Sequence, residues 1–115
     1  EPRVMAMLEI GATLTPVMLE EKLALARAGY VVKLQAKLDH LATLVARSRG
    51  GDERALREAQ QLAHRLCGTA GTFGLNEVSE ATALIDRKLL ALRDGRQAAN
   101  VLWEEISEVL KNVRG

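Results

Sequence analysis

His64 and Cys67 stand three residues apart in the stretch Ala63-His64-Arg65-Leu66-Cys67-Gly68-Thr69-Ala70-Gly71-Thr72-Phe73-Gly74-Leu75, which holds the chain's single Cys and single Phe. A neutral imidazole nitrogen is a competent nucleophile at neutral pH, because the free group titrates near about 6.5. It can attack an acyl phosphate or the terminal phosphate of ATP. His64 and Cys67 also read as half of a metal site, but two ligands are too few. No Gly-rich loop followed by Lys-Ser/Thr is present, and no cluster of carboxylates suited to Mg²⁺. The expectation is therefore no cofactor and no metal. A nucleophile without the rest of a phosphoryl-transfer site implies that a partner protein supplies it.

The element that must position His64 is a helix. At about 100° per residue, Ala55, Leu56, Ala59, Leu62, Ala63, Leu66 and Ala70 fall on one side and His64 nearly opposite. Around His64 lie Gln60, Gln61, Cys67 and Gly68 one turn away, and Arg57 and Gly71 two turns away. The imidazole is expected to face solvent. On a polar face a His is, by itself, an ordinary surface residue. What singles this one out is the bare patch of Gly68 and Gly71, since each Gly costs a helix interior roughly 1 kcal/mol relative to Ala. Such a patch lets another protein's surface reach the ring.

The remaining elements follow from periodicity and caps. Residues 3 to 10 could form a short helix stopped by Gly11, or the tail of a linker. Thr15-Pro16 is a helix start, and the helical pattern runs from there to about Ser48. Its stripe is Val31, Leu34, Leu38, Leu41 and Val45, and Gly29 is a candidate point for a kink or split. His40, off that stripe, reads as a surface residue. Gly50-Gly51-Asp52 is a stop and restart, with Asp52 as N-cap of a helix from about 52 to 71. Asn76 is a candidate cap for a helix from about 76 to 94 that buries Val78, Ala81, Ile85, Leu89 and Leu92. Asp94-Gly95 ends it. A last helix, about 96 to 113, turns Ala99, Leu102, Ile106, Val109 and Val113 inward, with Trp103 at the bundle edge. Short connections make neighbours antiparallel. The fold class is all-α, an antiparallel up-down four-helix bundle over residues 15–115, with residues 1–14 as an extra N-terminal helical segment or linker.

Composition agrees. The chain has 115 residues, 48% hydrophobic and only 3% aromatic, which favours helices over sheet. A net charge of +1 gives no nucleic-acid or membrane footprint, and no apolar run is long enough to span a bilayer. A single Cys excludes an internal disulfide and fits a reducing compartment, so a cytoplasmic location and a monomer are expected. The start Glu1-Pro2, without Met, reads as a fragment of a longer protein.

His64-Arg65-Leu66-Cys67-Gly68-Thr69-Ala70-Gly71-Thr72-Phe73-Gly74 resembles the signature of histidine phosphotransfer (HPt) domains, including the phosphate-accepting domain of chemotaxis-type kinases. The family pattern is His, any residue, an aliphatic, usually Lys, Gly, two small residues, then an aromatic or aliphatic followed by Gly. All positions fit except Cys67, where the family usually has Lys. The resemblance implies the same helical bundle and a place in a two-component phosphorelay. His64 would accept a phosphoryl group from a histidine kinase or a response-regulator receiver aspartate, then pass it to a receiver aspartate. The chain would be a phosphocarrier module and phosphoprotein rather than a stand-alone catalyst. Gly68 would give the partner clearance. In the chemotaxis-kinase branch an acid on the following helix bonds the ring and sets its tautomer. Asp86 is the candidate and Glu80 a second, with a solvated helix residue as the plain alternative. The missing Lys could be replaced by Arg57, Lys33 or Lys37, which read equally as ordinary surface charge. Leu14, Val17, Met18 and Leu25 are either docking residues or core. The alternatives are a pseudo-phosphotransfer bundle that binds receivers or kinases without carrying phosphate, and a structural or dimerising helical module.

Overall fold

The computed structural model describes residues 15–95 and 98–115, and these hold four α-helices and no strand. They are α1 (Pro16–Arg49), α2 (Glu53–Thr72), α3 (Asn76–Asp94) and α4 (Ala99–Arg114). The helix expected at residues 3 to 10, and Leu14, lie outside the described residues.

Helix α1 begins as its sequence dictates. The Met18 amide donates to the Thr15 hydroxyl at 3.2 Å, and Pro16 takes the first turn, where a missing N–H costs nothing. The helix is not split at Gly29. One Gly costs roughly 1 kcal/mol, too little to break a run rich in Ala, Leu, Lys and Glu.

Two compact units divide α1 between Val32 and Lys33. In the first unit the described residues are a single helical segment, which has no second layer of its own to bury an apolar side. Val17, Met18 and Leu25 are accordingly exposed, Leu25 to 73%, rather than core. Val31, placed on the buried stripe by periodicity, is also exposed.

The second unit, Lys33–Gly115, is the four-helix bundle. Its centre is Leu38, Leu41 and Leu44 of α1, Ala59, Ala63, Leu66 and Ala70 of α2, Ile85 and Leu89 of α3, and Leu102 and Ile106 of α4, all nearly or fully buried. Alanines dominate the α2 face, so that helix can lie close against its neighbours. Connections at 50–52, 73–75 and 95–98 are short, which makes successive helices antiparallel. Ion pairs run between helices: Arg49 with Glu104 and Arg114 with Asp39 on the exposed surface, and Lys88 with Glu105 partly buried. Pairs of this kind select register more than they stabilise.

Two expectations change at the end of the chain. Asn76 is the first helical residue of α3, and Leu75 occupies the cap position without a side-chain bond. In α4 the buried residues are Leu102, Ile106 and Leu110; Ala99 is exposed, and Val109 and Val113 are half-buried. The helix starts three residues later than its pattern suggested, at Ala99, and its seam runs through the 102, 106, 110 row instead.

Candidate functional site

Helix α2 is set by its ends. At its start Asp52 Oδ1 accepts from the Ala55 amide at 3.0 Å, and Oδ2 accepts from Arg47 Nη2 at 3.0 Å. The Ala55 backbone bond, the largest cause, together with Arg47, holds the Asp52 carboxyl below the usual carboxylate range against the opposing effect of burial. At its end Phe73 is the cap and Gly74 takes φ +73°. The Gly74 amide donates to the Gly71 carbonyl at 3.1 Å and the Leu75 amide to the Ala70 carbonyl at 2.8 Å. This is a Schellman closure, and its left-handed position explains why Phe73 is followed by Gly.

Between these ends α2 buries Ala55, Ala59, Leu62, Ala63, Leu66 and Ala70, leaving Leu56 half-buried. His64 is turned outward, with its side chain 74% exposed. Its Nδ1 lies 3.0 Å from Asp86 Oδ2 on α3, and the Asp86 side chain is only 14% exposed. A carboxylate only accepts, so the Nδ1 proton points to Asp86 and the Nε2 lone pair of the neutral ring points to solvent. The other oxygen, Asp86 Oδ1, accepts from Gln60 Nε2 at 2.7 Å. Gln60 Oε1 in turn accepts from Arg93 Nη1 at 3.4 Å.

C-terminal to the ring, the two glycines differ. A Cβ on Gly68 would meet nothing within 4 Å, whereas one on Gly71 would stand 3.2 Å from Ser79 Oγ. Cys67 is half-buried, and its Sγ lies 3.7 Å from the same Ser79 hydroxyl. The Thr69 and Thr72 hydroxyls bond back to the carbonyls of Arg65 and Gly68, satisfying themselves within the helix.

Of the residues singled out in the sequence, His64, Gln60 and Asp86 are joined by hydrogen bonds, and Gly68 is open beside them. Cys67 and Gly71 meet at Ser79. Gln61 and Arg57 are exposed on α2, outside that network, and Lys33 and Lys37 are exposed on α1. Glu80 lies on another side of α3, lining a shallow groove with Val109, Asn112 and Val113 of α4. Six residues before Asp86, it is turned well away from that carboxylate on the wheel. Two residues were missed, Ser79 and Arg93. The signal for both is the antiparallel register that the His64–Asp86 pair sets between α2 and α3.

The model of the Hpt domain family matches residues 20–115. The chain is a member of the Hpt domain family. Hpt domains act in phosphotransfer within two-component signalling and interact with kinases and receiver domains. No curated protein and no solved structure gives a match. Among the described residues of this Hpt chain, no helix is long and apolar enough to cross a membrane.

Proposed function

We propose that His64 is the phosphoacceptor of this Hpt domain, taking a phosphoryl group on Nε2 and delivering it to a receiver aspartate. The observation that carries the reading is the outward-facing ring whose Nδ1 is bonded to Asp86 at 3.0 Å. That bond fixes the tautomer in which Nε2 carries the lone pair.

In the forward step the Nε2 lone pair attacks phosphorus of a receiver's aspartyl phosphate, or the terminal phosphorus of a kinase's ATP. The N–P bond forms as the P–O bond breaks, and the leaving carboxylate or ADP keeps the electron pair. The ring becomes cationic with the proton still on Nδ1, and Asp86 balances that charge. Delivery reverses the step: a receiver carboxylate oxygen attacks phosphorus, the N–P bond breaks, and the neutral ring is restored. Gly68 keeps the approach clear, since its neighbourhood is empty on the side a Cβ would occupy. The partner contributes the remaining groups needed to neutralise phosphoryl charge. The chain is thus a phosphocarrier, working in the cytoplasm with receivers and kinases.

The test is incubation with a panel of phosphorylated receivers, following label on wild type and on His64→Gln. Acid-labile, base-stable label on wild type alone supports the carrier. No label from a verified cognate donor overturns it.

A second reading is favoured by Cys67, which stands where the family usually has Lys and cannot neutralise a phosphoryl group at neutral pH. In that reading the bundle binds receivers or kinases without carrying phosphate. Receiver binding that persists with no label on His64 would select it.

A further inference from the structure

The Asp86 carboxylate has two oxygens, and the His64 ring uses one. Were the other left to water, the group could turn about its last torsion and leave Nδ1. Gln60 prevents this. It sits one turn before His64 on α2, and its Nε2 reaches Asp86 Oδ1 at 2.7 Å while His64 Nδ1 lies 3.0 Å from Oδ2. The carboxylate is therefore held at both oxygens, and the side chain carrying it is 14% exposed.

An amide can turn over, exchanging nitrogen for oxygen, and Gln60 would then oppose Asp86 instead of holding it. Arg93 decides the matter. Its Nη1 lies 3.4 Å from Gln60 Oε1, two turns beyond Asp86 on α3. A guanidinium only donates and a carboxylate only accepts. Turned over, the amide would face its nitrogen to the guanidinium and its oxygen to the carboxylate, losing both bonds. The direction of the chain is thus fixed: Arg93 donates to Gln60, Gln60 to Asp86, and His64 Nδ1 to Asp86.

We infer that Gln60 and Arg93 are positioning residues for His64, acting through Asp86 to keep the ring proton on Nδ1. This rests on the reading of His64 as phosphoacceptor, but its test does not depend on any donor. Loss of Gln60 frees the carboxylate to hydrate and rotate, and the neutral ring divides between its two tautomers. The fraction with a proton on Nε2 has no lone pair there to attack phosphorus. Outer-shell partners that orient metal-binding histidines cost roughly ten- to a hundredfold when removed, and the lower end of that range is the expectation for Gln60, which orients the ring through one intervening carboxylate.

The experiment is long-range proton–nitrogen correlation on the chain labelled with ¹⁵N-histidine, at alkaline pH where the ring is neutral. His64→Gln identifies the His64 signals against those of His40. Wild type is expected to show the proton on Nδ1. Gln60→Leu is expected to show mixed tautomers, and Arg93→Ala a smaller shift in the same direction. In phosphoryl acceptance Gln60→Leu falls roughly tenfold, with Arg93→Ala in between. Circular dichroism verifies each fold. If Gln60→Leu fails to fold, Arg93→Ala, a change at an exposed position, carries the test. Wild-type tautomer in both variants, with Asp86→Ala alone losing it, overturns the inference and leaves the carrier reading standing. A tautomer shift as expected, with no label on wild type from a verified donor, supports the positioning chain and overturns the carrier reading.

Discussion

Ser79 Oγ donates to the Cys67 carbonyl oxygen at 2.9 Å, joining α3 to the turn of α2 just beyond His64. The same hydroxyl closes the space over Gly71, where a Cβ would stand 3.2 Å from it. Gly71 is therefore small because α3 packs on it. Gly71→Ala must shift the Ser79 hydroxyl by a few tenths of an ångström, straining its bond to the Cys67 carbonyl and offsetting the gain of roughly 1 kcal/mol that Ala brings to a helix. Gly71→Ala is expected to leave Tm unchanged or lower it. In the Ser79→Ala background the same change should raise Tm. A double-mutant cycle by thermal melting measures the coupling, and additive effects would show that Gly71 and Ser79 do not meet.

Gly68 is small for the opposite reason, since nothing in the bundle lies over it. Gly68→Ala should stabilise by roughly 0.5–1 kcal/mol, a rise of a few degrees in Tm. Gly68→Gln should fold as well as wild type but slow phosphoryl exchange with a receiver by at least about tenfold, by standing where the partner must sit. Melting curves and transfer rates on the same two variants separate the effects. Equal transfer rates would mean that no partner surface reaches Gly68.

Cys67 is half-buried one turn from His64, with its Sγ against Ser79. A Lys there can lay its methylenes along that contact and keep its ammonium in water near Nε2. Cys67→Lys is expected to raise the rate of phosphoryl acceptance by several-fold, up to roughly tenfold, through one charge-assisted bond to the incoming group. The check is the initial labelling rate from a fixed donor. A rate unchanged by the new Lys would mean that the partner already supplies the charge.

Sequence periodicity reads best where one helix decides the matter by itself. Asp52 caps α2, Gly95 ends α3 in a left-handed conformation, and the buried face of α2 is the one the wheel gives, so His64 was legible as outward-facing. Asp86 was legible only as a candidate: the family resemblance implies an acid on the next helix, and spacing through a short turn points to this one, with a solvated helix residue as the equal alternative. The structure places it 3.0 Å from His64. Ser79 and Arg93 were not legible, since their roles depend on how far α3 slides along α2. The α4 seam was misread for a related reason. Ala99, Leu102, Ile106, Val109, Leu110 and Val113 offer two apolar rows, and only packing chooses between them. Asn76 has a capping side chain, yet α3 begins on it, with its Ser79 amide bonded to the Leu75 carbonyl. Gly29 carries a helix-breaking tendency too weak to outvote its neighbours.

The choice of row can be measured. Leu110 is 5% exposed, while Val113 is half-buried. Leu110→Ala is expected to cost about 2–5 kcal/mol, as deletion of a core Leu does, and Val113→Ala distinctly less. Denaturant unfolding of the two variants decides it. A Val113 cost equal to that of Leu110 would restore the row the periodicity first suggested.

Asp52 makes the bundle's stability depend on pH in a direction that can be worked out. Its carboxyl is held below the ordinary value, chiefly by the Ala55 amide and then by Arg47. A group whose folded value is depressed adds stability above its unfolded value and loses it as the pH falls through the folded one. The contribution is therefore present at neutral pH and fades below about pH 4, the ordinary range of an Asp carboxyl. Asp52→Ala should lower Tm by a few degrees at about pH 7, through loss of the cap. The gap between Asp52→Ala and wild type should close as the pH falls, while Asp52→Asn, which keeps a side-chain acceptor, stays closer to wild type throughout. Both proteins share every other carboxylate, so their difference isolates this one. Thermal melts of the three proteins across that range, in low salt so that the Arg47 share is retained, give the comparison. A gap that stays constant to acid would mean that Asp52 caps α2 without its charge.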